Sequence, residues 1–448
     1  MVNDIKNTSD INSQSHNNDD GKIPEEIKKE NNSNGNNTVS GNNHSNGNSN
    51  GHNNGNGHSN GSNGNGHPSG FSNGNGNGHT NGSNGNGNGT GANHENGNGN
   101  GNGTTTSADA AAETRTIEDL YIGIIHSDVK REYFPTEEQY ITEKDAIEDA
   151  EGIASYLTKL GAHPILYPGN ESLVENLRRD NPNMVFNLVD SVKGNEYLSS
   201  TIPGLLDIMD IYYTGAGLLG LALTYNKFLV KKLFSQVGVP VPNFQLFSTP
   251  NDVLDPNMRF PLISKLNEIH GAVEINDKAV SENEKDLRER IKYLTNTYDQ
   301  AVLVEEFIVG REITCMQLEG LNTKVYLAEK VFNKPNDKFV FATFDDQWVN
   351  NPEDKSLWPY TYAKYEDQNL KDLVRKAFEV TRMADYGKFD VRMDQSGRYF
   401  FIDANANPAF GPKESFTAMG LIISELYGVP FTDIIKRLVN NTLYNAQP

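Results

Sequence analysis

Two carboxylates and one amide lie close together near the carboxyl end of the chain. The segment 387–405 is typical of a β-hairpin with its turn at 395–397. Asp403 and Asn405 are two residues apart and therefore share one face of a strand, and Asp390 can reach them across the hairpin. Such an all-oxygen set suits Mg²⁺, whose other ligands are waters and substrate phosphates. A solvated acidic face is the alternative interpretation, but the strand around Asp403 is too apolar for a plain surface strand.

Three lysines are candidates for contact with an anion. Lys265 lies within the apolar segment 260–266, where a lysine needs an anionic partner or loses its proton. Lys231 and Lys232 are neighbours on a predicted helix, so one can extend to solvent while the other faces a ligand. Farther along, the segment 305–312 has carboxylates at both ends. Its backbone could bind a flat base and a carboxylate could accept from a ribose hydroxyl, with plain surface charge as the alternative.

The elements that must position these residues begin near Ile117. A continuous apolar run predicts a buried parallel strand over 120–128, and a helix over 142–160 follows, which Gly161 ends. The next predicted elements are a strand over 163–169, a helix over 172–180, a strand over 184–190, and a short helix, a strand and a turn over 201–215. This β-α-β-α-β order predicts a parallel sheet with helices on its faces.

A second unit begins at Thr224 with a helix that Gly238 ends. Its further predicted elements are strands at 260–266 and 273–276, a charged helix at 281–298, strands at 301–308, 312–320 and 323–332, an amphipathic helix at 367–383, the hairpin, and a last helix at 431–443.

The composition of the 448-residue chain is uneven. Residues 31–106 are a low-complexity run of Asn, Gly, His and Ser with almost no apolar surface to bury, so we predict that residues 1–114 form a disordered tail. We interpret this tail as a tolerated extension without a function. Metal capture or condensate formation by its scattered histidines is the alternative.

Charge and cysteine content exclude several classes of function. A net charge of −20 argues against nonspecific nucleic-acid binding, which requires Lys and Arg to displace counterions. Cys315 is the single cysteine, which excludes internal disulfides and cysteine-based zinc sites and fits a reducing compartment. No apolar run approaches the roughly 18 residues of a membrane span, and the first residues lack the apolar region of a secretory signal. We therefore expect a soluble, cytoplasmic protein without nucleic-acid or membrane partners.

Five segments, taken in order, resemble one known superfamily. They are VFNLVD (185–190), IPGLLDIMDIYYTGAG (202–217), LTYNKFLVKKLFSQVGVPVP (223–242), VLVEEFIVGRE (302–312) and FDVRMDQSGRYFFIDANANP (389–408). In this combination the sequence resembles the ATP-grasp superfamily, and most closely D-alanine–D-alanine ligase and related carboxylate–amine ligases.

The resemblance implies a chain of α/β and α+β class, in which an N-terminal parallel α/β subdomain precedes two α+β subdomains that clasp ATP. The implied boundaries are a tail at 1–114, the N-terminal domain at 115–223, a central or lid subdomain at 224–308 and a C-terminal subdomain with the metal site at 309–448. It further implies ATP with Mg²⁺ or Mn²⁺, and activation of a carboxylate as an acyl phosphate that an amine attacks. Two small amino acids are the simplest substrate pair, and a homodimer is compatible with the resemblance.

Carried over by position, the resemblance also implies roles for individual residues. The metal ligands are Asp390, Asp403 and Asn405; the phosphate contacts are Lys231 and Lys265; the adenine hinge is Glu305, Glu306, Phe307 and Ile308; the ribose contact is Glu312; and catalytic roles fall to Lys388 and Asn405. Gly271 falls in the loop that closes over the phosphates.

Departures from the family's pattern concentrate where the substrates bind. The stretch HSDVKREYFPTEE (126–138) lacks the Gly-Gly-x-Ser-x-Glu signature whose glutamate binds an amine, and the loop around Gly271 lacks the family's serine-rich sequence. Asp403 replaces a glutamate, Lys388 replaces an arginine with which it is not interchangeable, and Ala409 replaces a glycine. A nucleotide-binding protein without catalysis, an interaction protein that acts through its tail, and an enzyme with a thiol or hydroxyl acceptor are the alternatives.

Overall fold

A three-stranded parallel sheet organises the first part of the chain in the computed structural model, which describes residues 117–349 and 357–445. Its strands are β1 (Tyr121–His126), β2 (His163–Pro168) and β3 (Met184–Leu188), in the order β2-β1-β3. The helices of this part are α1 (Glu137–Ile141), α2 (Ala146–Lys159) and α3 (Leu173–Asp180). The predicted β-α-β-α-β order is confirmed, and Gly161 ends the helical region with a φ of +84°. The predicted tail at 1–114 lies outside the described residues.

The segment between this sheet and the next unit is mostly helical. It contains α4 (Glu196–Ser199), α5 (Thr201–Ile208) and α6 (Leu218–Thr224). The predicted strand within 210–215 is wrong, because pairing is limited to a single bridge between Tyr213 and Val185. Asp210 and Gly215 have positive φ values of 55° and 87°, so the chain turns on both sides of that bridge and cannot continue as a strand.

A four-stranded antiparallel sheet follows. Its elements are α7 (Lys227–Val237), β4 (Phe244–Phe247), β5 (Leu262–Leu266), β6 (Val280–Ser281), α8 (Glu284–Tyr298) and β7 (Val302–Glu306), with the strand order β4-β7-β5-β6. Asn226 caps α7 by accepting a hydrogen bond from the backbone N–H of Leu229 at 3.0 Å, and Gly238 ends the helix in the left-handed conformation.

The predicted strand at 273–276 is also wrong. Ala272 and Glu274 have φ values of 58° and 65°, which a strand does not allow. The buried carboxylate of Glu274 holds the turn, since it accepts hydrogen bonds from the hydroxyls of Tyr293 and Tyr298 at 2.7 and 2.9 Å and pairs with Arg290 at 3.0 Å. Tertiary contacts to α8 therefore override the local β propensity.

A five-stranded antiparallel sheet completes the chain. Its strands are β8 (Gly310–Leu318), β9 (Lys324–Phe332), β10 (Tyr360–Tyr365), β11 (Tyr386–Asp394) and β12 (Tyr399–Asn405), in the order β10-β9-β8-β11-β12. The helices are α9 (Phe344–Trp348), α10 (Gln368–Val380) and α11 (Phe431–Asn440). Two further segments, Gly420–Leu426 and Asn441–Asn445, are π-helical. The predicted hairpin is confirmed, with Gly397 at a φ of +82° in its turn.

A bulge in the hairpin shapes the region that carries its carboxylates. Asp390 pairs with Asp403, but the next residue, Val391, pairs with Phe401, so Ile402 is the extra residue. The carbonyl of Ile402 consequently leaves the strand ladder and accepts a hydrogen bond from Nζ of Lys265 at 3.1 Å. The hairpin and the four-stranded sheet thus meet at this point. Within the described residues no helix is long and apolar enough to cross a membrane.

Candidate active site

A cavity of about 650 Å³ lies where the three sheets meet. Its lining includes Asp190 from the parallel sheet's end, Lys265 from the four-stranded sheet, and Glu312, Asp390 and Asp403 from the five-stranded sheet. Residues far apart in sequence therefore share one enclosed space. Of the twelve predicted roles, all except that of Lys231 fall on residues that line this cavity.

The predicted oxygen cluster is assembled on the hairpin. Nδ2 of Asn405 donates to Oδ2 of Asp403 at 3.1 Å, so the amide oxygen of Asn405 takes no part in this hydrogen bond. Oδ1 of Asp403 is buried and accepts no hydrogen bond from the described residues. Burial alone would raise the pKa of Asp403, but the positive charges of Lys227 and neighbouring groups lower it, so the carboxylate is ionised. An orphaned anionic oxygen beside an amide oxygen fits a hard cation such as Mg²⁺.

Asp390 is held by two lysines. Nζ of Lys388 lies 2.5 Å from one carboxylate oxygen, and Nζ of Lys330 lies 3.5 Å from the other, to which Thr314 also donates at 2.9 Å. Burial opposes ionisation, but Lys330 and Lys388 lower the pKa of Asp390. Within residues 117–349 and 357–445, no cluster of three or more His, Cys, Asp or Glu side chains could hold a metal.

Lys265 has an internal anionic partner, Glu305 of β7. Nζ of Lys265 lies 2.9 Å from Oε2 of Glu305, and Nζ of Lys231 lies 2.7 Å from Oε1. Lys231 also donates to the carbonyl of Phe401 at 3.0 Å, and burial lowers its pKa against the opposing effect of Glu305. The carboxylate of Glu305 is fully buried and therefore pairs with these two lysines rather than with solvent.

The structure places Lys231 beside the main cavity rather than on its lining. Lys231 does not line the main cavity, whereas Lys227, one helical turn earlier, does. Nζ of Lys227 donates to the carbonyl of Ile269 at 2.6 Å, and burial lowers its pKa while Asp403 opposes the shift. Lys227 and Lys231 are four residues apart and share a helix face, so the sequence spacing alone could have suggested either lysine.

Glu312 is also saturated with cationic partners. Nζ of Lys330 lies 2.7 Å from Oε1, and Nη1 of Arg392 lies 3.0 Å from Oε2. All three side chains are 4–5% exposed. Arg392 stacks over the ring of Phe307 at 4.7 Å and donates to the carbonyl of Ile308 at 2.6 Å. Sequence reasoning missed Lys330 and Arg392, because only the pairing of β8 with β9 and β11 places them on either side of Glu312.

The hinge residues are fixed by backbone and side-chain contacts. The N–H of Phe307 donates to the carbonyl of Pro261 at 2.9 Å, and Glu306 accepts from the N–H of Arg259 at 2.9 Å. The ring of Phe307 packs against Phe339 and another aromatic ring, with centroids 5.4 and 5.6 Å away. A flat apolar group could lie beside this ring inside the cavity.

The loop around Gly271 closes one side of the cavity. Both the backbone N–H and Nδ1 of His270 contact the carboxylate of Glu196, at 3.0 and 2.8 Å. Trp348 donates to the carbonyl of Gly271 at 2.7 Å. Gly271 has a φ of +69°, and a Cβ there would lie 2.5 Å from Cγ2 of Thr142, so the loop accepts only glycine at this close approach.

Carboxylates at the end of the parallel sheet form a part of the cavity that the sequence analysis missed. Oγ of Ser191 donates to Glu143 at 2.8 Å, and Nδ2 of Asn407 donates to Asp190 at 2.9 Å. Burial raises the pKa of Glu143 to about 7 and raises that of Asp190 well above its ordinary range. These residues come from separate segments, so no local spacing in the sequence could have grouped them.

Comparisons with known proteins find relatives of this chain among D-alanine–D-alanine ligases. Residues 233–440 match the family model described as D-ala D-ala ligase C-terminus. An uncharacterized protein from Sinorhizobium fredii is 26% identical over 62% of this chain and 83% of its own, and the D-alanine–D-alanine ligase of Pseudomonas entomophila is 25% identical over 59% and 79%. The D-alanine–D-alanine ligase of Bacillus anthracis, solved as a complex with ATP, matches with a TM-score of 0.53 and 17% identity over 72% of this chain and 97% of that one. The chain therefore has the ATP-grasp fold of solved D-alanine–D-alanine ligases, and its residues 233–440 are similar to the C-terminal part of that family.

Proposed function

We propose that this protein is an ATP- and divalent-metal-dependent carboxylate–amine ligase that works through an acyl phosphate. The observation that carries the proposal is the meeting of Lys227, Lys265 and the oxygen cluster of Asp390, Asp403 and Asn405 in one cavity. Cations and metal-binding oxygens in one enclosed space suit a nucleoside triphosphate, whose phosphates need both. The likeness of the chain to D-alanine–D-alanine ligases supports the same reaction class.

The nucleotide would lie between the four- and five-stranded sheets. We assign the adenine to the hinge Glu305–Ile308, with the ring of Phe307 as its apolar contact. Lys265 and Lys227 would neutralise phosphate charge, while Lys231 holds the carboxylate of Glu305 in place. Glu312 remains the candidate for the ribose hydroxyls, since each carboxylate oxygen can accept more than one hydrogen bond.

The residues proposed to hold Mg²⁺ or Mn²⁺ are Asp390, Asp403 and Asn405. When bound, the ion would offset negative charge on the phosphates of the nucleotide. Asp390 would then bind the ion and lose part of its contact with Lys388 and Lys330. The freed ammonium of Lys388 would be available to orient an anionic group at the reaction centre.

The reaction joins two small molecules in two steps. A substrate carboxylate oxygen attacks the γ-phosphorus of ATP, the bond to the bridging oxygen breaks, and ADP leaves. An amine nitrogen then attacks the carbonyl carbon of the acyl phosphate, the C–O bond to phosphate breaks, and phosphate leaves as the nitrogen loses a proton. Positioning by Lys388 and Asn405 and exclusion of water by the loop around Gly271 would supply most of the rate.

Phosphate release tests the proposal. The full chain would be incubated with Mg-ATP and a panel of single and paired carboxylates and amines, and products would be identified by mass. We expect phosphate release that depends on both substrates, and an amide in equal amount. ATP binding without any phosphate release would instead favour a nucleotide-binding protein without catalysis, an alternative that the pairing of Asp390 with two lysines also fits.

The proposed partners are small-molecule carboxylates and amines. Nucleic acids and membranes have no place in this scheme, and the cytoplasm, where ATP is abundant and a single buried cysteine stays reduced, is the proposed location. Light scattering of the purified chain would test the homodimer that the resemblance allows.

A further inference from the structure

Lys330 of β9 lies between two carboxylates with different proposed roles. Its Nζ is 2.7 Å from Oε1 of Glu312, the candidate for the ribose, and 3.5 Å from Oδ1 of Asp390, a proposed metal ligand. The side chain of Lys330 is only 5% exposed, yet it contributes to the lining of the cavity. One ammonium therefore contacts the nucleotide part and the metal part of the proposed site, and it borders the space that a ligand would fill.

The register of the five-stranded sheet fixes this position. Glu312 of β8 pairs with Lys330 on one side and with Arg392 of β11 on the other. Asp390 is two residues before Arg392 on β11 and therefore points to the same face of the sheet. The long side chain of Lys330 reaches Asp390 across β8. Strand pairing alone thus brings Lys330 to both carboxylates.

Three cations converge on these two carboxylates. Nη1 of Arg392 is 3.0 Å from Oε2 of Glu312, and Nζ of Lys388 is 2.5 Å from Oδ2 of Asp390, so each carboxylate has a cationic partner besides Lys330. Lys330 is therefore a surplus buried charge, which is unfavourable unless an anion compensates it.

The hydrogen bonds of Lys330 are also incomplete. An ammonium has three N–H groups, and within the described part of the chain acceptors are present for two of them, on Glu312 and Asp390. The surplus charge and the remaining N–H group both favour an anionic ligand beside Lys330. In the proposed site, the phosphates of the nucleotide are the anions that could fill this place.

We infer that Lys330 is a positioning residue that keeps Asp390 from binding the metal until a nucleotide is bound. The inference rests on the proposed function, since it concerns the order in which nucleotide and metal occupy that site. In the empty protein, the ammonium of Lys330 repels a divalent cation that approaches Asp390. The phosphates of a bound nucleotide attract this ammonium, and Oδ1 of Asp390 then becomes available to the ion. Lys330 thereby makes metal binding depend on the nucleotide.

Binding measurements on the full chain test this inference without turnover. Electron paramagnetic resonance of Mn²⁺ measures metal binding without nucleotide, and calorimetry in EDTA measures binding of a non-hydrolysable ATP analogue without metal. Lys330→Met should bind Mn²⁺ about tenfold more tightly than the parent and the analogue about tenfold more weakly, the scale of one charge-assisted hydrogen bond. A purely structural role would not produce shifts in opposite directions, because a distorted site binds both ligands less well.

Two further variants serve as checks on Lys330→Met. Lys330→Gln keeps a hydrogen-bond donor for Glu312 without the charge and should give the same two shifts, so the test does not depend on the folding of one variant. Lys324 is an exposed lysine of the same strand that does not line the cavity. Lys324→Met is therefore the matched control and should bind both ligands like the parent.

A double-mutant cycle separates an effect that acts through Lys330 from a general change of charge. In Glu312→Gln, Lys330 can pair fully with Asp390, so Mn²⁺ should bind about tenfold more weakly than to the parent. Added to Lys330→Met, the same substitution should change Mn²⁺ affinity by less than about twofold, because the ammonium that moves is absent.

The outcomes distinguish this inference from the ligase proposal. Mn²⁺ and analogue affinities that fall together, or do not change, when Lys330 is replaced overturn the inference, even if the phosphate-release assay finds an active ligase. An effect of Glu312→Gln that persists in full in the double variant also overturns it, because the coupling would not pass through Lys330. Opposite shifts without phosphate release for any substrate pair support the role of Lys330 and refute the ligase reaction.

Discussion

Replacing Glu143 by glutamine should stabilise the free protein at alkaline pH. Glu143 is 7% exposed, and its pKa rises from an ordinary 4.5 to about 7, chiefly through burial. At pH 8 the parent must keep an ionised carboxylate in this site, whereas glutamine is neutral and can keep the hydrogen bond from Ser191. A shift of that size corresponds to about 3 kcal/mol of unfolding free energy, at about 1.4 kcal/mol for each pKa unit.

The sign of the pH dependence follows from the raised pKa. Below about pH 4.5 Glu143 is protonated in both the folded and unfolded states, so parent and variant should have equal stability. As the pH rises through 7, the folded parent loses its proton and its stability falls relative to the variant. The difference should therefore be under about 1 kcal/mol at pH 5 and near its full value at pH 8.

Urea unfolding of both proteins at pH 5 and pH 8 measures this difference. As a control, Glu151→Gln removes the same charge at an exposed position on α2 and should alter stability by less than about 0.5 kcal/mol at either pH. A Glu143→Gln protein that is no more stable than the parent at pH 8, or equally stabilised at both pH values, would refute the reasoning.

Three further predictions concern the nucleotide half and the tail. Lys265→Met should lower the unfolding free energy without ligand by about 3 kcal/mol, because Glu305 loses one of its two lysine partners, and it should also weaken Mg-ATP binding. Melting curves with and without Mg-ATP measure both effects, with Lys232→Met as the exposed control. A free Lys265→Met protein that melts like the parent would contradict this prediction. Asp403→Asn should reduce turnover by about 100-fold or more while the far-ultraviolet circular dichroism stays unchanged, and parent-like turnover would remove Asp403 from the metal site. Removal of residues 1–114 should leave the melting temperature and phosphate release unchanged, and a clear loss of either would mean that the tail contributes to the folded protein.

Elements with strong local signals were predictable from the sequence. The continuous apolar runs of β1 and β3 indicated buried strands, and Gly238 marked the end of α7. The failures at 210–215 and 273–276 have tertiary causes, because the backbone turns at Gly215 and Glu274 are held by side chains from distant segments, Asp385 and Tyr293. The local hydrophobic pattern and the helix-capping residues could not reveal these turns.

The site was predictable where neighbours in sequence are also neighbours in space. Spacing by two placed Asp403 beside Asn405, and the hairpin brought Asp390 opposite. Lys265 was recognisable as a lysine in need of an anion, yet its partner Glu305 became evident only from the pairing of β5 with β7. The buried carboxyls of Glu143 and Asp190 come from separate segments, and no shared spacing in the sequence could have grouped them.

An isotope-transfer measurement tests the central claim most directly. A carboxylate substrate labelled with oxygen-18 would be incubated with the full chain, Mg-ATP and the amine partner found in the phosphate-release panel, and the released phosphate would be analysed by mass. An acyl-phosphate ligase transfers one labelled oxygen to phosphate for each amide formed, because the carboxylate oxygen that attacked phosphorus leaves with it. Unlabelled phosphate, or phosphate release without amide, would contradict the account.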